Sequence, residues 1–147
     1  MGLDVSYDCW SGSYGSFNVF RQEIAQVIGV PLELMEHFYN EDRIRGLLRE
    51  GVTPASFEYL EIYLFKWVPI KWDSLKYDPL FILLDHSDCD GNIEVKDQLP
   101  IAERLEAIAD LLSDGTGKIK WNMREKAKQF AVGLRDANQN NDVVEFG

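Results

Sequence analysis

The sequence predicts a mainly α fold, compact and single-domain, with one minimal two-stranded element and an EF-hand-like helix–loop–helix past its middle. Three observations predict it. Apolar residues recur at spacings of three and four through most of the chain, the period of a helix with one buried face. Gly and Pro fall between these runs, where they stop one helix and open the next. Apolar/polar alternation at residues 3–7 and an apolar run at residues 143–146 confine sheet to the two ends. One globular domain over residues 1–147 is expected, a length ordinary for a single hydrophobic core.

Leu3, Val5 and Tyr7 alternate with Asp4, Ser6 and Asp8 and read as a half-buried first strand. Ser11-Gly12-Ser13-Tyr14-Gly15 has the small residues of a loop, after which Ser16 can cap a helix carrying Phe17, Phe20, Ile24, Val27 and Ile28 on one side. Gly29 and Pro31 end that helix. A Gly-rich run before a helix invites comparison with a phosphate cradle, but the P-loop spacing and its Lys are missing, so a tight loop packing Trp10 and Tyr14 is the reading. A second helix is expected over residues 31–38 with Leu34, Met35 and Phe38 turned inward and His37 given no role, and a third over 41–49 that stops at Gly51. Thr53-Pro54 opens a broad-faced helix bearing Phe57, Leu60, Tyr63, Leu64 and Trp67, followed by an extended Val68-Pro69-Ile70-Lys71-Trp72. Trp67, Trp72 and Tyr77 are expected in the core or at its rim.

Asp78-Pro79 before Leu80-Phe81-Ile82-Leu83-Leu84 reads as a short buried helix, with a buried strand as the competing reading. Ile101, Leu105, Ile108 and Leu112 lie on one stripe of a helix opening near Asp97. Residues 113–117 form a loop by composition, and Asn122 with Glu125 has capping-box spacing ahead of Met123, Ala127, Phe130 and Leu134. Residues 138–141 break this last helix, and residues 143–146 are expected to pair as an edge strand with residues 3–7.

Between the two middle helices, His86-Ser87-Asp88-Cys89-Asp90-Gly91-Asn92-Ile93 carries the residue types of a chemical site. A calcium EF-hand loop alternates oxygen ligands over twelve positions, turns at a Gly in the sixth and closes with a carboxylate. With Gly91 at position six, Asp88 and Asp90 fall at three and five, Asn92 offers its carbonyl from seven, and Asp97 closes at twelve. His86 falls at position one, where a hard cation wants oxygen, so no cofactor is expected beyond calcium held at the weak end of the range. The competing reading is structural: Asp-Gly is a turn signal, and Asp88, Asp90 and Asn92 can satisfy backbone N–H groups without metal. His86, Asp88 and Cys89 are also candidates for a ligand site, with Cys89 as thiol nucleophile or soft-metal ligand. A structural zinc site needs about four ligands, and Cys9, Cys89, His37 and His86 show no paired spacing.

Residues 78–117 hold ten acidic side chains against Lys96 and Arg104, which places −8 of the chain's net −10 in the loop and the following helix. Nucleic acid is excluded as a partner for that face, because phosphate binding needs clustered Lys and Arg, although an acidic face also suits partial DNA mimicry. The basic cluster of Lys118, Lys120, Arg124, Lys126 and Lys128 is expected to solvate a helix or to face the acidic segment. Two distant cysteines and an amino terminus without a basic or long apolar run predict a reduced, cytoplasmic protein, and no apolar stretch approaches the eighteen or so residues of a membrane span. Met1-Gly2 with Ser6 fits a myristoylation motif only permissively and is discounted.

The combination of Met1-Gly2-Leu3-Asp4 with Asp8 and Trp10, Ser16-Phe17 to Arg21, Ile70 to Trp72, Asp78-Pro79-Leu80, and the His86 to Gly91 run with Ile101-Ala102 resembles a family of small bacteriophage and prophage proteins with an HSDCDG loop. The resemblance spans most of the chain. It implies a viral origin and assigns no activity, cofactor or catalytic residue; Tyr7 stands where similar sequences have histidine, which argues against a multi-histidine metal site. A small acidic phage protein is expected to be an accessory factor, a non-enzymatic module binding a host protein in the host cytoplasm. The alternative is an enzyme or small-ligand-binding protein with its site at residues 86–90, with or without a divalent metal.

Overall fold

A computed structural model describes residues 2–30, 77–84, 86 and 90–147. The helices expected over residues 31–67 lie outside the described residues. In chain order the described elements are β1 (Gly2–Val5), β2 (Trp10–Ser13), α1 (Tyr14–Ile28), α2 (Phe81–Leu84), β3 (Asn92–Ile93), α3 (Val95–Ile108) continued by a 3₁₀ turn (Ala109–Leu111), α4 (Met123–Gln139) and β4 (Val144–Glu145). Helix dominates, so the fold is mainly α.

The expected first strand is present, with Leu3 and Val5 buried and Gly2 and Asp4 outward. Its partner is a surprise. Residues 11–13, expected as loop, belong to β2, which pairs antiparallel with β1 from Gly2↔Ser13 to Val5↔Trp10. The turn between them bends through Tyr7 (φ 60°) and Asp8 (φ 54°), with Cys9 N–H donating to the Ser6 carbonyl at 3.3 Å. Two consecutive left-handed residues make the hairpin turn that normally asks for Asn-Gly, so Tyr-Asp gave no sequence signal for it. The hairpin also moves the α1 cap: Ser13, not Ser16, is the N-cap, its Oγ accepting from Ser16 N–H at 3.0 Å. Gly29 ends α1 at φ 79°, as its composition predicts.

The carboxy-terminal run pairs with the first strand as expected, through a Val5↔Phe146 bridge, Ser6 N–H to the Glu145 carbonyl at 2.9 Å and Gly147 N–H to the Asp4 carbonyl at 3.0 Å. It is not an edge, because β3 pairs with its other side through Asn92↔Glu145 and Ile93↔Val144. Among the described residues four short strands therefore replace the single pair expected, and residues 144–146 are clamped between β1 and β3.

One core underlies these strands. Trp10 meets Phe17 edge-to-face at 5.1 Å and Phe20 at a tilt at 5.0 Å, Phe17 meets Phe146, and Phe20 lies 6.2 Å from Phe130 of α4. Ile101, Leu105, Ile108 and Leu112 are buried on the predicted stripe of α3, and Met123, Ala127, Phe130 and Leu134 on that of α4. Asn122 caps α4 as its spacing predicts, its Oδ1 accepting from Glu125 N–H at 3.0 Å. Helix α3 opens two residues earlier than expected, at Val95, so that Asp97 stands in its first turn. Tyr77 departs from expectation: it is 72% exposed, its ring T-shaped to that of Phe81. Gly133 lets the β1–β2 turn sit on α4, since a Cβ there would meet Cys9 Sγ at 2.5 Å and the Tyr7 carbonyl at 2.7 Å.

Candidate functional site: the His86 loop and the α3 face

The loop begins where α2 ends. Asp78 opens this short helix by accepting from Leu80 N–H at 3.0 Å and is itself held by Arg104 Nε at 2.8 Å. At its other end Arg21 of α1, only 1% exposed, donates from Nη2 to the Leu84 carbonyl. A buried guanidinium thus fixes the last turn before His86. The apolar stripe of α1 could have revealed it, because Arg21 interrupts Phe17, Phe20 and Ile24 at the same helical spacing.

His86 is built into the fold. Its ring stacks on Phe146 with centroids 4.1 Å apart and 28° between planes, and its Nε2 lies 3.0 Å from the Asn92 carbonyl. The bond requires the proton on Nε2, since a carbonyl only accepts. Gly91 lies beneath the ring at φ 92°, where a Cβ would meet His86 Cε1 at 3.1 Å and Nε2 at 3.3 Å. The Gly91 carbonyl in turn accepts from Phe146 N–H at 3.0 Å. Ring stack, ring–carbonyl bond and backbone bond tie the loop to the carboxy-terminal strand.

Beyond the loop, Gln98 is fully buried and donates from Nε2 to the Asp142 carbonyl at 2.6 Å, and Asn138 donates to the Val95 carbonyl at 3.1 Å. These amides lock the start of α3 to the end of α4. Gln98, Arg21 and Phe146 all position the loop, and the residues of the loop itself point to none of them.

Of the predicted ligands, Asp88 and Cys89 lie outside the described residues. Asp90 and Asn92 are exposed, while Asp97 is half-buried in the first turn of α3. The Asn92 carbonyl, expected to face a metal, is engaged by His86 instead. Among the described residues no group of three or more His, Cys, Asp or Glu side chains is arranged to hold a metal ion. The thiol of Cys9 is buried beneath the hairpin turn, and that burial, with Asp136 and Asp8 nearby, pushes it up to about 12. A thiol held protonated in this way is no nucleophile at neutral pH.

The acidic segment is partly neutralised by the helix after it. Lys128 reaches Asp110 at 3.8 Å, Arg135 pairs with Glu106, and Arg124 donates to the Asp110 carbonyl at 3.0 Å. Lys126 sits 4.9 Å over the Trp10 ring and donates to the Ser11 carbonyl at 3.1 Å. Three members of the basic cluster are thereby engaged within the fold, two of them against the acidic segment. What remains on the outer face of α3 is Leu99, 37% exposed, and Pro100, with Lys96 one turn before them and Glu103 one turn after; Glu94, at the N-cap, is paired with Lys96 at 3.7 Å. Glu103 makes no ion pair among the described residues.

Compared with known protein families, with curated proteins and with solved structures, the chain finds no match. The described residues form a mainly helical fold in which His86 and Gly91 are clamped to the carboxy-terminal strand. No helix among the described residues is long and apolar enough to cross a membrane.

Proposed function

We propose that this chain is a non-enzymatic binding module, a phage accessory factor that docks a basic protein of its bacterial host in the cytoplasm through the outer face of α3. The observation that carries the reading is exposed Leu99 and Pro100 on that face with charge around them at Lys96 and at the carboxylates of Glu103 and Glu106. An apolar centre within a charged rim is the usual anatomy of a protein interface, and charge on the rim steers encounter. The same carboxylates suit partial mimicry of a DNA backbone as a way of meeting a basic partner. The commitment of His86 to the fold weighs against catalysis, because one face of its ring is stacked on Phe146 and its Nε2 is engaged by a carbonyl.

Affinity capture from bacterial host lysate tests this. The wild-type chain should retain one protein at near-stoichiometric yield, and a Leu99→Asp, Glu103→Lys variant should lose it while unfolding at the wild-type temperature. Failure to capture a protein, or capture indifferent to the double substitution, refutes the proposal.

A second reading places a calcium ion in an EF-hand-like loop. It is supported by Gly91 at φ 92°, the β3 strand at positions seven and eight, and a helix opening at Val95, position ten. The His86–Asn92 bond weighs against it, joining across the loop two positions that an ion would join. Calorimetry is expected to find no sub-micromolar calcium site; a tight one abolished by Asp90→Ala would establish the ion.

A further inference from the structure

A cleft of about 490 Å³ lies between the last turn of α1, the turn before α2, and α3, lined among the described residues by Val27, Ile28, Tyr77, Asp78, Pro79 and Arg104. Its volume falls in the range of small-molecule sites. The lining surface is more polar than apolar: Arg104 and Asp78 form one end, and Val27, Ile28, Pro79 and the Tyr77 ring supply the smaller, apolar part. Asp78 is almost buried and has both oxygens engaged, Oδ1 by Leu80 N–H and Oδ2 by Arg104 Nε. It therefore acts as an orienting group, holding the guanidinium by one edge. Neither Nη nitrogen of Arg104 donates a hydrogen bond to a described residue, so the outward fork keeps its donors.

We propose that this cleft binds a small organic monoanion with a planar apolar body, of the aryl carboxylate class. A guanidinium fixed by a carboxylate at Nε presents parallel N–H groups from its Nη end, the geometry that takes a carboxylate bidentately. Tyr77, exposed at the mouth, supplies an aromatic surface against which a ring can lie, beside the apolar patch of Val27, Ile28 and Pro79. The chain's net −10 opposes an anion at long range. Beyond a screening length of about 8 Å that opposition fades, whereas the guanidinium acts at contact.

Calorimetry on the full chain with benzoate, and with benzyl alcohol as its neutral counterpart, tests the assignment. Benzoate should bind in the millimolar range, as expected of so small a ligand, and benzyl alcohol at least about tenfold more weakly. Val27→Trp, which fills the cleft from its apolar wall, should abolish benzoate binding, and Arg104→Gln should weaken it at least about tenfold. Should Arg104→Gln fail to fold, Val27→Trp and the neutral counterpart decide. Equal binding of benzyl alcohol overturns the anion; benzoate binding unchanged by Val27→Trp, or none by the wild type at about 20 mM, overturns the site.

Discussion

Replacing Gly91 by Ala is the sharpest perturbation of the loop. Two costs combine. At φ 92° a Cβ is unfavourable by roughly 1–2 kcal/mol. The new atom also meets His86 Cε1 at 3.1 Å and Nε2 at 3.3 Å, closer than ordinary contact, and the imidazole cannot withdraw without leaving its 4.1 Å stack on Phe146 or its 3.0 Å bond to the Asn92 carbonyl. Each of those is worth about 1 kcal/mol, so giving up part of one brings the total to roughly 2–3 kcal/mol. For a chain of this size that is a fall in Tm of about 5–10 °C, and Gly91→Val should cost more. Urea unfolding followed by far-UV circular dichroism measures it. His86→Ala alone should cost about 1–2 kcal/mol through the lost stack and bond. The double variant should then be less destabilised than the sum, by roughly 0.5–1 kcal/mol, because the Cβ gains the space of the missing ring. A Gly91→Ala chain within about 0.5 kcal/mol of wild type, or strictly additive variants, would refute the clamp.

Gly133→Ala should destabilise by about 2–4 kcal/mol in the same assay, since its Cβ would fall 2.5 Å from Cys9 Sγ and 2.7 Å from the Tyr7 carbonyl, and backbone cannot yield as a side chain can. In a Cys89→Ser background, Cys9 should resist iodoacetamide at pH 8 until the chain is unfolded; rapid labelling of the native protein would contradict its burial. The same thiol predicts alkaline instability. Its folded value of about 12 stands above the ordinary 9.0, so its contribution is complete below about pH 9 and is lost as pH rises toward 12. Tyr7, raised above 10.0 chiefly by its hydrogen bond to Asp142, acts in the same direction. The unfolding midpoint should therefore fall over pH 9–12, and less steeply in a Cys9→Ala variant.

Helices were legible where burial follows the 3.6-residue period and a cap marks the start. Residues 122–134 show both signals and residues 101–112 the period alone, and the stripes on α3 and α4 are buried as read. The β1–β2 hairpin was not legible, because its turn uses left-handed Tyr7 and Asp8 in place of a glycine. Nor was β3, since Asn92-Ile93 is too short to show alternation and becomes a strand only when the carboxy terminus lies beside it. The same long-range pairing decides the loop. Its ligand spacing could be read from the chain, but the stack of His86 on Phe146, sixty residues on, could not. Arg21 left a trace in its apolar stripe, whereas nothing local announced the contact with Leu84.

If the loop serves the fold and the outer face of α3 serves function, the two should respond differently to a bound partner. Hydrogen exchange of the captured complex against the isolated chain, read peptide by peptide, tests it most directly. Added protection is expected to concentrate over residues 94–107, with residues 86–92 unchanged. Protection centred on residues 86–92, with the α3 face still exchanging as in the isolated chain, would contradict it and return His86 to the centre of the site.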